Sequence, residues 1–263
     1  MESIFKNELK QTRFGLLIWS VVVVSIALFG MLEYPIVSQN IDILGEALLL
    51  IPKIGQLIFG VYNVDLTMPI GYHIVMYYWL GLIVFAHAMY TGASIISKET
   101  RDKTAEFLFT KPYKRSTIIW AKILAGFVHI LIIGVVAVIS ALFGMTIITT
   151  DPGVYIQILI SGIGMFFTQC ILLSLGLLCS AVFKTYRSGT MGAVMVLLAS
   201  YCLMFFVQFI DSPALNFLSP LTFFGVSDTV ENGFSGPYIL LAVLIIGACL
   251  YLTQWFYARK DMI

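Results

Sequence analysis

The sequence predicts an all-α membrane protein with six transmembrane helices. The first observation is composition: 60% of the residues are hydrophobic and 11% are charged, whereas about 25% are charged in a soluble domain. The second is that six apolar stretches each reach the ~20 residues that a bilayer-spanning helix needs. The third is an uneven distribution of charge between the connecting segments. We therefore expect one membrane domain over residues 1–263.

The N-terminal segment, residues 1–13, has an amphipathic pattern. Its basic residues fall on one side of a helix and its apolar residues on the other (Lys6, Lys10 and Arg13 against Met1, Ile4, Phe5 and Leu9). This pattern predicts a short interfacial helix on the inner membrane surface, and a frayed charged tail is the alternative. The following run, 14–32, resembles a signal peptide but is long enough to span, so we interpret it as an uncleaved first helix.

The predicted spans are 14–32, 73–97, 118–148, 154–183, 189–210 and 237–257. Segment 43–61 could be counted as a seventh span, but it contains Glu46 and Lys53, and Pro52 interrupts it at its middle. We predict instead an amphipathic segment that is bent at Pro52 and lies on the outer leaflet.

The distribution of charge supports six spans with both termini in the cytoplasm. In that topology every Lys and Arg except Lys53 lies on the inner side. Eight of the fourteen acidic residues lie on the outer side. A seventh span would move a basic cluster outside, against the positive-inside rule.

Two connections after the fourth span have distinct characters. The turn Lys184-Thr-Tyr-Arg187 is short and basic, which predicts an inner hairpin between spans four and five. The connection 211–236 is acidic, contains Pro213 and Pro220, and is rich in apolar and aromatic residues. We predict an outer re-entrant segment there, between spans five and six.

Residues 96–122 form the long charged stretch between spans two and three. Glu99 and Lys103 are four residues apart in the favourable acid-before-base order, and Ala105, Leu108 and Phe109 form an apolar stripe. Pro112 ends the helical pattern. The stretch predicts a cytoplasmic helix over about 98–112 that is tightly linked to both spans. It is either an interfacial helix without a partner or a binding site for a soluble protein.

This stretch resembles the coupling region of the ABC-2 type transporter permeases. That family shows an Ile-x-x-Glu…Gly-Thr-x-Glu…Pro-x-x-Arg…Gly-Lys pattern between its second and third spans. The chain supplies these residues in order: Ile96, Glu99, Thr104, Glu106, Pro112, Arg115 and Lys122. Lys103 and Ala121 replace the two glycines that precede Thr104 and Lys122. The segment 216–223 before the last span resembles the outer re-entrant segment of the family.

The resemblance implies a permease subunit that pairs with a second copy of itself or a similar permease, and with a separate ABC ATPase subunit. ATP and Mg²⁺ would bind the ATPase, and the chain has no GxxxxGK[ST] phosphate loop of its own. The location implied is the bacterial plasma membrane, with lipid as a partner and no nucleic acid. The expected ATPase-binding residues are Glu99, Lys103, Thr104, Glu106, Phe107, Leu108, Lys111, Pro112 and Arg115. The expected dimer-packing residues are Gly189, Gly192 and Ala193.

Polar residues within the spans are candidates for a path or cavity. His87 and His129 lie ~15 Å above the inner boundary at 1.5 Å per residue. They either face each other or a common polar cavity, or each bonds a nearby backbone carbonyl or hydroxyl group. Gln169 and Gln208 either join helices or contact cargo. We expect no metal site, because the spacings of the four cysteines match no metal motif, and we interpret these cysteines as small buried hydrophobic residues since all four lie in apolar runs.

Other functions stay open from the sequence. An intramembrane enzyme would need catalytic groups within the spans, and we find no HExxH, no paired intramembrane carboxylates and no serine motif with a suitable histidine. An ATP-independent channel would need a polar stripe along one helix. We therefore expect no enzymatic activity in this chain. The favoured cargo of an exporter is an amphipathic peptide, drug or lipid-like molecule, with ions or polysaccharides as alternatives.

Overall fold

The computed structural model describes residues 2–101 and 115–259, and these residues form helices and connecting loops without strands. The α-helices are α1 (Glu2–Gln39), α2 (Ile41–Leu50), α3 (Lys53–Phe59), α4 (Pro69–Ile95), α5 (Lys98–Arg101), α6 (Arg115–Met145), α7 (Pro152–Val182), α8 (Tyr186–Ile210), α9 (Val226–Asn232) and α10 (Gly236–Arg259). A 3₁₀ helix covers Pro213–Leu218.

Six of these helices are long and apolar enough to cross a membrane: α1, α4, α6, α7, α8 and α10. The six predicted spans are thus confirmed, and five of them agree with the observed helices to within four residues at each end. Large apolar side chains such as Phe14, Met195 and Tyr251 point away from the bundle. Such an apolar exterior is favourable when the surrounding solvent is hydrocarbon.

The first helix is longer than predicted. α1 runs without interruption over 38 residues, or about 57 Å at 1.5 Å per residue, while the hydrocarbon core is ~30 Å thick. The boundary expected at residue 13 is therefore wrong, because no break separates a surface helix from the span. Ile4 packs against Ile118 and Ala121 at the start of α6, which holds the first turns of α1 on the bundle. The interfacial position of this end stays a prediction.

The centre of the bundle is the contact between α4 and α7. Gly92 and Gly176 face each other there with their Cα atoms in close approach. A Cβ atom on Gly92 would overlap the backbone oxygen of Leu173, and one on Gly176 would overlap that of Met89. Glycine at both positions thus lets two backbones meet directly. α6 and α10 pack against the remaining sides of α7, and α1 packs along α6.

The segment between α1 and α4 confirms the predicted bend at Pro52. α2 ends at Leu50, and Pro52 takes an extended conformation before α3 begins. The Gln56 side chain donates to the carbonyl oxygens of Leu48 and Ile51, each at 3.0 Å. These bonds join the start of α3 to the end of α2 across the bend. Neither α2 nor α3 is a candidate span. The position of this segment on the outer leaflet stays a prediction.

The loop before α4 is organised by Asp65. Its Oδ1 accepts hydrogen bonds from the Thr67 hydroxyl at 2.5 Å and the Thr67 backbone N–H at 2.9 Å. These two bonds favour the charged carboxylate and lower the pKa of Asp65. A Cβ atom at position 71 would overlap the Asp65 carbonyl oxygen, so Gly71 allows the loop to lie against the first turn of α4.

The predicted hairpin between spans four and five is confirmed. α7 ends at Val182 and α8 begins at Tyr186. Thr185 caps α8 by accepting from the Ser188 N–H at 3.2 Å, and Ser188 accepts in return from the Thr185 N–H at 3.4 Å. This reciprocal cap is the capping box, which uses Ser188 here in place of the usual acidic residue.

The segment after α8 folds back against the bundle. The Ser219 hydroxyl donates to the Ser200 carbonyl oxygen at 2.8 Å, and Ser200 lies ten residues before Ile210, the end of α8. That separation corresponds to ~15 Å along the helix. Phe223 and Phe224 are buried with Ile171 and Ala242. The chain therefore descends between α7, α8 and α10, while its position relative to a bilayer stays a prediction.

Candidate functional site

Lys122, near the start of α6, is the centre of a buried ion network. Its side chain is 1% exposed. Its Nζ atom lies 2.5 Å from Oε1 of Glu8 and 2.7 Å from Oε1 of Glu99. It also donates to the carbonyl oxygen of Ile95 at 3.3 Å, at the C-terminal end of α4. A buried ammonium is stable only when such partners replace its water shell.

Glu8 on α1 joins a second lysine to the same network. Its side chain is 5% exposed, and its second oxygen, Oε2, lies 2.5 Å from Nζ of Lys98. Lys98 also donates to Oε1 of Gln11 at 3.4 Å. Among the described residues, two lysines and two glutamates therefore meet here, and we call Glu8, Lys98, Glu99 and Lys122 the ion network.

The ion network fastens both flanks of residues 102–114 to the bundle. Lys98 and Glu99 lie in α5, immediately before that segment, and Lys122 lies two turns into the helix that follows it. Glu8 adds the first turns of α1 to the same point. Because α4 ends at Ile95, one cluster holds α1, the end of α4, α5 and the start of α6. A displacement of the segment would be passed to these elements together.

Arg101 connects α5 to a further helix. Its guanidinium donates to the Tyr186 hydroxyl at 3.3 Å and lies 4.9 Å from the centre of the Tyr186 ring. Tyr186 begins α8, and its hydroxyl is 3.4 Å from that of Tyr90 on α4. A cation above an aromatic face is attractive at this distance. The end of α5 is thus also joined to the hairpin between α7 and α8.

The two intramembrane histidines both face α1. His129 Nε2 lies 2.8 Å from the Thr12 hydroxyl, and the His87 ring packs edge-to-face on Trp19 with centroids 5.2 Å apart. His87 Nε2 is also 3.3 Å from the Thr91 hydroxyl one turn away. Each histidine therefore has a hydroxyl group within hydrogen-bond distance, as the second alternative predicted, while their facing each other or a common cavity stays a prediction. Neither lines either of the two cavities that we describe.

Three further polar residues of the spans, Gln169, Gln208 and His73, lie in different surroundings. Gln169 joins α7 to α6 by donating to the Ile130 carbonyl oxygen at 3.3 Å, which fits a role in helix association. Gln208 lies near the end of α8 and lines a large cavity at the opposite end of the bundle from the ion network. His73 is buried, with Nε2 3.0 Å from the Ser161 hydroxyl, and lines a small cavity of about 10 Å³.

The small residues near the start of α8 pack within the chain. A Cβ atom on Gly189 would lie 3.3 Å from the Ser180 Cα atom of α7. One on Gly192 would overlap the Phe183 ring, and Ala193 is buried. These residues let α8 approach its neighbour α7 closely. A contact between two chains through them stays a prediction.

The predicted ATPase-binding residues fall mainly outside the described residues. These are Lys103, Thr104, Glu106, Phe107, Leu108, Lys111 and Pro112. Arg115 begins α6, and Glu99 belongs to the ion network. The predicted helix over 98–112 is described only for its first turn, Lys98–Arg101. In the part of the chain that is described, the cysteines are free and no group of three or more His, Cys, Asp or Glu residues could hold a metal ion.

Sequence reasoning missed Glu8 and Thr12. Both lie on α1 one turn apart, and both contact α6, where Glu8 pairs with Lys122 and Thr12 meets His129. The signal was the position of Glu8 four residues after Ile4, on the apolar side of the segment and away from Lys6, Lys10 and Arg13. An isolated acid on an apolar helix face indicates a buried partner.

Comparison with known proteins places the chain in a family. The sequence pattern described as "ABC-2 family transporter protein" matches residues 3–261. The chain belongs to the ABC-2 transporter family. The predicted resemblance is therefore confirmed across the chain, and the protein is a multi-pass membrane protein of the ABC-2 permease type.

A relative in Bacillus subtilis (strain 168) carries the description "Uncharacterized membrane protein YdbK". It is 23% identical over 195 residues, which cover 70% of this chain and 79% of the relative. Its description agrees that proteins of this kind are membrane proteins and assigns no cargo.

Proposed function

We propose that this ABC-2 chain is the permease subunit of an ATP-driven exporter and that a separate ATPase subunit binds residues 98–115. The observation that supports this proposal is the ion network. It gathers both flanks of segment 102–114 and the start of α1 around one buried lysine.

The ion network suits the transmission of force. Lys122 and Glu8 are nearly sealed from solvent, so moving them apart would leave charges buried without partners. That cost is about 3–5 kcal/mol for a buried pair. A partner that pushes on the segment would therefore move α5, the start of α6 and the start of α1 as one body. The change would reach the bundle through α4 and α6.

The remaining roles in this proposal belong to partners. ATP and Mg²⁺ bind the ATPase, so the permease chain itself is not the hydrolytic enzyme. A second copy or a similar permease completes the path, and family members in general work with ABC ATPase subunits. The cargo is an amphipathic peptide, drug or lipid-like molecule.

Co-purification tests the proposal. A tagged chain extracted gently from its own host membrane should bring with it an ATPase subunit of about 25–35 kDa, the size expected of a single nucleotide-binding domain. Replacing both Glu106 and Leu108 by alanine should abolish that association, because the two changes remove a charged and an apolar contact at the expected interface. The Glu33→Ala variant, altered at an exposed position of α1 far from the segment, serves as the matched control.

Two results would contradict the proposal. The double variant could retain the ATPase in full amount, or the unmodified chain could purify without one under conditions that preserve its fold. In either case segment 98–115 is not the site through which an ATPase acts. Ion conductance of the purified chain alone in a planar bilayer would then favour an ATP-independent channel.

A further inference from the structure

The end of the bundle opposite the ion network contains a cavity of about 440 Å³. It lies between α3 and its following loop, residues 74–85 of α4, the second half of α8, and the segment that includes α9. Its volume falls within the range of small-molecule binding sites, which is about 300–1,000 Å³. We call it the tyrosine cavity.

The floor of the tyrosine cavity is aromatic and apolar. Tyr77 and Tyr201 lie beside Met204 and Val207, both of which are buried. Tyr201 lies nine residues before Ile210, the end of α8, or ~14 Å along the helix. Its hydroxyl is shielded from solvent and has no hydrogen-bond partner among the described residues. An apolar ligand that reaches this depth would be largely removed from water.

The rim of the tyrosine cavity is acidic. Asp211 at the end of α8 and Asp228 in the first turn of α9 both line it, and both side chains are exposed. Gln208 adds an uncharged polar group. Among the described residues that line the cavity, none is a Lys or an Arg. The lining therefore combines two negative charges at the mouth with tyrosine rings below them.

A lysine beside the tyrosine cavity shows how an aromatic residue of its wall can contact a cation. The amino group of Lys53, at the start of α3, lies 4.6 Å from the centre of the Tyr62 ring and 5.5 Å from that of Phe209. Tyr62 is a lining residue of the tyrosine cavity. Both distances are within the ~6 Å over which an aromatic face attracts a cation. Lys53 itself would repel a second cation at this wall.

We propose that the tyrosine cavity is a binding site for a hydrophobic organic cation. The rim carboxylates attract positive charge, the tyrosine faces stabilise it after partial desolvation, and the deep floor buries an apolar body. A hydrophobic anion would meet the carboxylates at the mouth and be repelled. As a cargo site the cavity would rest on the proposed exporter function, whereas binding itself requires neither an ATPase nor transport.

Equilibrium dialysis with the purified full-length chain in phosphatidylcholine nanodiscs tests the proposal. The probes are tetraphenylphosphonium and tetraphenylborate, which match in shape and differ in the sign of their charge. Protein-free nanodiscs give the lipid background. We expect saturable binding of one tetraphenylphosphonium per chain and no saturable binding of tetraphenylborate.

Three variants locate the bound cation. The double variant Asp211→Asn, Asp228→Asn should weaken tetraphenylphosphonium binding roughly tenfold, because it removes both rim charges. Lys53→Gln should tighten binding, since it removes the repelling amino group and frees the Tyr62 face. Glu33→Gln, an exposed acid near the same end of the bundle but outside the lining, should leave binding unchanged.

Weaker tetraphenylphosphonium binding in the double Asp variant, together with tighter binding in Lys53→Gln, is the result that supports the cavity as the binding site. Equal saturable binding of both probes, or unchanged affinity in the double Asp variant, would overturn it. These outcomes are separate from the test of the exporter function. A chain that binds the cation but no ATPase contradicts only the exporter proposal, and a chain that binds the ATPase but no cation contradicts only this inference.

Discussion

The two ends of the bundle use similar residue types in opposite ways. At the ion network, Glu8 and Glu99 are held against Lys98 and Lys122 in a site from which water is nearly excluded. At the tyrosine cavity, Asp211 and Asp228 are exposed around an open volume. Paired and buried charges hold elements together, whereas exposed charges around a cavity remain available to a ligand.

The difference lies in the energetic consequence of removing a charge. A buried pair that loses one member leaves the other desolvated without compensation. An exposed carboxylate that becomes an amide loses only interactions that water screens. The network end should therefore respond to substitution through stability, and the cavity end through binding.

The largest expected effect is that of Lys122→Met. The substitution leaves Glu8 paired with Lys98 and removes the buried ammonium group that lies between Glu8 and Glu99. We expect a loss of about 3–5 kcal/mol in stability, the usual cost of breaking a buried pair. Unfolding of the purified chain in a mixed detergent series measures this loss.

A matched control for Lys122→Met is Lys6→Met on α1. Lys6 also pairs with a glutamate, Glu2, at 2.7 Å, but the two side chains are 71% and 79% exposed. Its replacement should cost less than about 0.5 kcal/mol, as is typical of exposed i, i+4 pairs. Equal losses in the two variants would contradict the structural role of the ion network.

Alanine substitutions at two glycines compare how closely the backbone is packed near each end of the bundle. A Cβ atom at Gly176 would overlap the Met89 backbone oxygen, so Gly176→Ala should force α4 and α7 apart at a cost of about 1–3 kcal/mol. At Gly164, near the cavity end, the added atom would lie 3.2 Å from the Phe224 Cβ atom. Gly164→Ala should cost less, because a loop segment can shift by a few tenths of an ångström. Comparison of the two unfolding midpoints decides the order, and Gly247→Ala, with open space around it, is the control.

The hydrogen bond between Thr12 and His129 should have an intermediate effect. Thr12→Val keeps the shape of the side chain and removes the 2.8 Å contact with Nε2 of His129. We expect a loss of about 0.5–1.5 kcal/mol, since a typical intramolecular hydrogen bond contributes that much. Thr67→Val removes the hydroxyl of an exposed threonine that bonds only Asp65 in its own loop. An effect of Thr12→Val below that of Thr67→Val would show that the contact does not fasten α1.

The smallest expected effect on stability is that of Asp211→Asn combined with Asp228→Asn. Asp211 has a left-handed backbone with φ 58°, and asparagine tolerates that conformation as well as aspartate does. We expect a change within about 0.5 kcal/mol, as for most exposed substitutions. The same double variant should lose cation affinity in the dialysis assay. A large loss of stability would mean that the cavity end is held together by charge, as the network end is.

Most of the fold was predicted from patterns among neighbouring residues. The six spans follow from the length of apolar runs, and the break at Pro52 follows from a residue that cannot continue a helix. The hairpin at Thr185 follows from the short basic turn. The boundary at residue 13 was wrong because its charged pattern indicated a surface helix. Burial of Ile4 and Glu8 against α6 instead continues one helix through that point.

The sequence by itself determined which segments are helices and to which family the chain is similar, because span length, helix breakers and short motifs are read from neighbouring residues. Only the tertiary structure decided the partner of each charge. Glu8 and Lys122 are 114 residues apart, and the wall of the tyrosine cavity comes from four separated segments. Burial and pairing depend on how the helices pack. Acidic residues therefore hold helices together at one end of the bundle and line the tyrosine cavity at the other.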